Sequence, residues 1–304
     1  MLTFYCLIFS HNKKKYIQLE FLMKHSTFRG LMVTAALIGV SFVAQANVFT
    51  QPSYTQNTTF TDADPGTTMT LAWDGVNYYT ASGGSQSSPY SKYAANGTLI
   101  ASASPSPGID FRSVFTNSSN NLLARGYGSN VIYQQTSFGN FTSLVTLNGG
   151  SLDSQSAVVM NSAGTEYLAQ SAGQVRSWDL TGNYLGAITL AGFSGSQASY
   201  PQGRGLAIVG NDLLTYYNGT VNAWSMTGQD LGSATLISGG TSFDSNFSYS
   251  YANDQFWVVD QAKGTWRGYD IGLTGGQAVP EPATLALLGL GLFGIAVMRK
   301  KRLM

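Results

Sequence analysis

Two stretches decide the fold, RSWDLTGNYLGAITL at residues 176–190 and NAWSMTGQDLGSATL at residues 222–236. Both read aromatic, three residues, Gly, three residues, Gly, then an apolar alternation, so that Trp178 answers Trp224, Gly182 answers Gly228 and Gly186 answers Gly232. A weaker copy, KYAANGTLIAS, carries Tyr93 and Gly97; the weakest carry Tyr133 and Tyr269. These anchors are 40, 45, 46 and 45 residues apart. Around each anchor the parts recur in one order. In the best copy LAIVG (206–210) precedes DLLTYYNG (212–219), then VNAWSM (221–226) and, after Thr-Gly, LGSATL (231–236). Short alternating runs separated by Asn-Gly, Gly-Asn and Ser-Gly pairs are strand-and-turn chemistry. Four short strands every 40–50 residues describe a propeller blade, which cannot bury both of its faces alone and must stack in a ring.

The sequence therefore predicts an all-β body over 47–276, a β-propeller of about five four-stranded blades. The blades start near Met69, Arg112, Ala157, Gly205 and Phe247. The last copy stops after Tyr269-Asp270-Ile271 without an equivalent of LGSATL, and NVFTQPSY (47–54) is the expected supplier of its missing outer strand. A sixth, degenerate blade within 54–66 and a β-sandwich with coincidental spacing are the alternatives.

Both ends of the chain read as addressing segments. Lys24 and Arg29 precede the apolar run Leu31–Val43, which ends at the A-x-A site Ala44-Gln45-Ala46. A basic stretch, an apolar stretch of about 7–15 residues and small residues at the cut make a secretory signal peptide, with cleavage expected between Ala46 and Asn47. The run is short for a membrane-spanning helix, which needs about 20 residues. Residues 1–22 sit in front of this signal and suggest that translation starts at Met23. Residues 1–46 are thus expected to act as extension and signal, with signal peptidase and the secretion machinery as partners.

Cys6, His11 and His25 are the only cysteine and histidines, and all precede the expected cut. The mature body then has no disulfide, no Ser-His-Asp triad, no Cys nucleophile and no zinc site built on His or Cys. Between 47 and 276 there are seven basic and thirteen acidic residues, a net charge of −6. That balance argues against nucleic acid as a partner, since phosphate binding needs clustered Lys and Arg.

From Val279 the chain reads VPEPATLALLGLGLFGIAVMRKKRLM. Ala283–Met298 is apolar throughout, and Pro282 suits the first turn of a helix because its missing N–H has no partner to lose there. Arg299, Lys300, Lys301 and Arg302 then act as a stop-transfer cluster that stays cytoplasmic. The expected element is a transmembrane helix anchoring the chain transiently in the inner membrane, with residues 277–304 as one sorting segment.

The motif Pro280-Glu281-Pro282, the Leu/Gly-rich helix and the terminal basic cluster together closely resemble the PEP-CTERM sorting domain over about residues 278–302. The resemblance implies that exosortase, a membrane-embedded cysteine protease, recognises Pro280, Glu281 and Pro282, cuts near them and passes the protein onward. It also implies a Gram-negative host that makes extracellular polysaccharide. It says nothing specific about the body, because members carry diverse bodies.

Within the body, aromatics that recur once per repeat (Tyr93, Tyr133, Trp178, Trp224, Tyr269) are expected to pack between blades. The pairs Tyr78-Tyr79 and Tyr216-Tyr217 do not recur, and they are the candidates for glycan contact, with Tyr249 and Tyr251 weaker. Asp62-Ala63-Asp64-Pro65-Gly66 looks like part of a calcium loop, but its twelfth position is Trp73 rather than Glu, so a polar turn is expected. Glu166 is the one Glu of the body and the Asp residues are scattered at turns, with no marked acid/base pair. No cofactor motif is present. The expected role is that of an exported, non-enzymatic surface or matrix protein among exopolysaccharide. A carbohydrate-binding module and a polysaccharide hydrolase or lyase are the alternatives.

Overall fold

The structure is a computed structural model that describes residues 47–199, 203–238 and 248–273. The signal residues Ala44 and Ala46, the sorting motif and the basic cluster of the tail lie outside the described residues. Among the described residues no helix is long and apolar enough to cross a membrane, and the single helical turn is the 3-10 turn Gly195–Gln197.

The described residues form twenty-one strands in five sheets. Two short strands come first, β1 (Ser53–Tyr54) and β2 (Thr58–Thr61). Blade one is β3 (Thr68–Trp73), β4 (Asn77–Ser82), β5 (Tyr90–Ala94) and β6 (Leu99–Ala103). Blade two is β7 (Phe111–Thr116), β8 (Leu122–Gly126), β9 (Val131–Ser137) and β10 (Asn140–Thr146). Blade three is β11 (Val158–Met160), β12 (Glu166–Ser171), β13 (Gln174–Asp179) and β14 (Tyr184–Thr189). Blade four is β15 (Ala207–Val209), β16 (Asp212–Tyr217), β17 (Thr220–Ser225) and β18 (Asp230–Leu236). Blade five contributes β19 (Tyr249–Ala252), β20 (Gln255–Asp260) and β21 (Thr265–Tyr269). Strands within a blade pair antiparallel, and the first strands β3, β7, β11, β15 and β19 neighbour one another in that cyclic order around a channel. The body is a five-bladed β-propeller, as the repeat predicts.

Closure corrects the expectation for 47–54. The outer strand of blade five is β2, whose Thr58–Thr61 pairs antiparallel with Thr265–Gly268. Residues 47–54 lie on blade four instead, with β1 parallel to β18 in the register Ser53↔Thr235 and Tyr54↔Leu236. The physical reason is one ring. Phe60 of β2 is buried against Tyr93, Tyr78 and Trp257 at centroid distances of 4.9, 5.8 and 5.6 Å, and so fills the seam between blades five and one. Phe49 and Tyr54 are buried in the cluster between blades four and five. The early chain thus covers the edge of one blade and completes the next, and edges dealt with in this way are closed to pairing with other chains.

The recurring anchors explain the repeat. Trp178 Nε1 donates to Gly149 O of the preceding blade's exit, and Asn148 N donates to Gly182 O. Trp224 Nε1 donates to Ala191 O, and Ala191 N donates to Gly228 O. Tyr93 Oη donates to Asp62, and Tyr269 Oη donates to Ile237 O. Each of these side chains fastens its blade to the one before it. Gly182 and Gly228 are required because a Cβ there would strike Thr146 O and Thr189 O respectively, and both have φ near +85°. Tyr133 is half-buried and lacks the equivalent bond, in keeping with the weakness of its repeat.

Candidate functional site

The channel walls are made by the first strand of each blade, and these strands meet through side chains because their inner edges face no partner strand. Val114 N donates to Thr70 Oγ1 (2.6 Å), Leu71 N to Ser250 Oγ (2.9 Å) and Val158 N to Ser113 Oγ (3.0 Å). In each case a hydroxyl from the preceding blade satisfies the next blade's N–H, which a buried backbone donor requires. Blades three and four add the half-buried apolar side chains Val159, Met160 and Ile208 to the channel lining. The hydroxyls of Thr70, Ser113 and Ser250 are thus buried and spent on the ring itself.

Where the first strands begin, buried side chains tie the blades and their links together. Arg125 is fully buried and gives all its nitrogens to carbonyls, from Nε to Ser129 O, Nη1 to Ser154 O and Ser156 O, and Nη2 to Asp153 O, at 2.7–3.0 Å. Burial, then the neighbouring charge of Arg112, pulls its pKa down to about 10, so it is still a cation at neutral pH. Arg112 pairs with Asp110 at 2.6 Å, donates to Gln155 and lies over the Tyr127 ring; Arg204 pairs with Asp153 at 3.0 Å. Gln261 Nε2 donates to Thr68 O and Ser248 Oγ. Most of the polar chemistry at this end is already spent on protein partners.

Where the first strands finish, the channel opens into a cavity of about 360 Å³. The strand-to-strand turns ring it and bring Asn117, Ser118, Asn120, Asn161, Ser162, Asn253 and Asp254 to the rim, with Trp73 and Tyr251 in the wall. Several amides are used locally: Asn117 Oδ1 accepts from Ser119 N and Asn121 N, and Asn161 Oδ1 from Thr165 N and Glu166 N. Among the described residues no Lys or Arg lines the cavity, and Asp254 is the one charged residue of the lining.

Three of the four tyrosines expected to contact glycan, Tyr78, Tyr79 and Tyr216, are placed where they cannot. Tyr78, Tyr79 and Tyr216 are only 1%, 4% and 2% exposed, so they offer no ring face to a ligand. Such large rings are held in the core because β4 and β16 are second strands, covered by a blade on each side. Tyr217 is half-buried. Tyr216 accepts from Gly219 N and packs on Tyr249 and Phe256. Tyr78 and Tyr79 stand behind the open mouth rather than in it. Tyr78 packs on Trp73 at 4.5 Å and its hydroxyl accepts from Asn253 Nδ2 at 2.7 Å. Tyr79 Oη donates to Asp74 Oδ2 at 2.8 Å, fixing the turn that Asp74 Oδ1 closes with Val76 N and Asn77 N. The residues that line the mouth were missed because each turn looks ordinary alone; the shared place of Asn117, Asn161 and Asn253 after the first strand of a repeat was the available signal.

Asp62 takes donors from Asp64 N, Tyr93 Oη and Trp266 Nε1. Burial raises its pKa although these donors oppose it. This carboxylate therefore joins the link into β3 to blades one and five, which is the polar-turn reading with a structural duty added. Among the described residues no group of three or more His, Cys, Asp or Glu could hold a metal.

Residues 278–302 match the family model described as the PEP-CTERM protein-sorting motif. A search of curated proteins gives no match. Among solved structures the chain is similar to glutaminyl cyclase of Myxococcus xanthus, with 8% identity over 72% of this chain and 97% of that one and a TM-score of 0.52. It is also similar to a structural-genomics protein of unknown function from Bacteroides thetaiotaomicron, with 11% identity over 68% and 70% of the two chains and a TM-score of 0.43. Virginiamycin B lyase from Staphylococcus aureus follows at 11% identity, 66% and 65% coverage and a TM-score of 0.37. At such identities the likeness is one of fold alone. What the chain carries beyond its fold is the address: a five-bladed propeller with a PEP-CTERM sorting motif at 278–302, which marks it for export through a membrane-anchored intermediate with exosortase as its processing partner.

Proposed function

We propose that the processed propeller is a non-enzymatic surface or extracellular-matrix protein that resides among exopolysaccharide. The sorting motif at 278–302 carries this reading. The signal peptide is cut after Ala46, the body crosses into the periplasm, the tail helix holds it in the inner membrane with Arg299–Arg302 inside, and exosortase releases it toward the surface. The want of His and Cys in the body supports a binding or structural role. So does the dispersal of its carboxylates into turns and links, where Asp62, Asp74 and Asp179 already hold several donors each.

Cell fractionation of a Pro280→Ala, Glu281→Ala, Pro282→Ala variant tests the reading. The expected result is full-length protein retained in the inner-membrane fraction. Variant protein found in the medium at processed size overturns it. Release of new reducing ends from the host's own polymer would turn the body into an enzyme.

A further inference from the structure

We infer that the open mouth of the channel is a binding site for the end of a short, uncharged glycan. The inference rests on the surface-protein reading and names the ligand class of that protein.

The cavity has the size of a small-molecule site, about 360 Å³ against about 300–1,000 Å³ for ligand pockets in general. That volume suits a chain end rather than the flank of a polymer, because at the far end of the first strands Gln261 and Ser248 are already occupied by one another and by Thr68 O. Its walls differ in kind. The exposed rim residues Ser118, Asn120, Ser162 and Asn253 present donors and acceptors, whereas the half-buried Val159, Met160 and Ile208 present only apolar surface. A sugar ring is likewise two-sided, with hydroxyls around its edge and C–H groups on its faces, and aromatic or apolar side chains cover such faces well. Trp73 supplies a half-buried indole that is held in place from behind by Tyr78, whose hydroxyl also holds Asn253. Two rim-forming elements are therefore preorganised by one buried side chain, which lowers the ordering cost of binding.

Charge narrows the class. With no cation among the described residues of the lining and Asp254 at its rim, the mouth repels uronates, sulfates and phosphates, because buried or half-buried anions need paired positive groups. The net charge of −6 over the body acts in the same sense. Neutral hexose ends remain.

The processed protein, isolated from the host, is titrated calorimetrically with neutral glucose, mannose and galactose trisaccharides and with trigalacturonate. At least one neutral trisaccharide is expected to bind at least tenfold more tightly than trigalacturonate. Trp73→Ala should weaken that binding tenfold or more. Ser162→Trp, an exposed rim substitution that fills the mouth without touching the core, should abolish it with the melting temperature unchanged. Asp254→Lys should narrow the gap between neutral and acidic sugars. Absence of binding by every neutral trisaccharide, or binding indifferent to Ser162→Trp, overturns the inference. Either failure leaves the surface-protein reading standing if the sorting variant is still held in the inner membrane, so the two are told apart.

Discussion

At the end of the channel where β3, β7, β11, β15 and β19 begin, Arg125 is sealed in and bonded to four carbonyls. At the end where the same strands finish, Asn120, Ser162 and Asp254 stand exposed around an open cavity. The strands are shared and parallel around the ring, so the contrast comes from the connections. Long links between blades arrive at the first end and leave unpaired backbone carbonyls there, which need donors from the protein. Tight two- to five-residue turns satisfy themselves at the second end. A propeller thus divides labour along its axis, with one end holding the ring together and the other free to meet a ligand.

The comparison breaks most readily at Arg125. Arg125→Met should cost about 3–5 kcal/mol, since it removes four hydrogen bonds from a buried side chain and leaves Ser129 O and Ser156 O without their donor. Thermal or urea unfolding measures it, and a variant that melts like the parent would show that this end holds nothing together. Next comes an inter-blade fastener. Trp224→Phe keeps the ring but loses the bond to Ala191 O, and about 1 kcal/mol should go. At the open rim, Asp254→Ala and Ser162→Ala should each stay within about 0.5 kcal/mol of the parent. A large loss there would mean that the rim is structural and would erase the contrast.

The smallest effect is one of sign. Asp62 is buried and its pKa is raised, first by desolvation. The native state then binds this proton more readily than the unfolded chain does, so Asp62's contribution to stability is greatest in acid and falls as pH rises from its ordinary 3.8 through the raised value. Asp179 is the opposite. Its bonds to Thr181, then Asn183, lower it to about 2, so its contribution is complete above its ordinary 3.8 and is lost as pH falls through about 2. The difference in melting temperature between parent and Asp62→Ala, plotted against pH, should slope one way and that for Asp179→Ala the other. Slopes of the same sign would refute the assignment of Asp62 as the desolvated member.

Much of this molecule is written along the chain. Trp178 and Trp224 with their glycines announce the blades because each bond they make is a local instruction repeated once per blade: an indole donor at a fixed distance from a turn that must approach the preceding blade without a Cβ. Composition likewise removes His and Cys chemistry from the body, and the tail states its own address, since a linear motif is read by its receptor as sequence. Only the tertiary structure could decide which early strand closes the ring. Residues 47–54 and 58–61 are both short and strand-forming, and the choice rests on whether Phe60 or Tyr54 fits the seam beside Trp257 and Tyr93. It alone turns Tyr78 and Tyr79 inward, because whether a ring on a second strand meets solvent depends on the blade stacked over it. The mouth of the channel belongs to the same category. Its lining combines first-strand residues with turns of blades two, three and five, from Thr70 to Asp254 along the chain, and they become one surface only when the ring is closed.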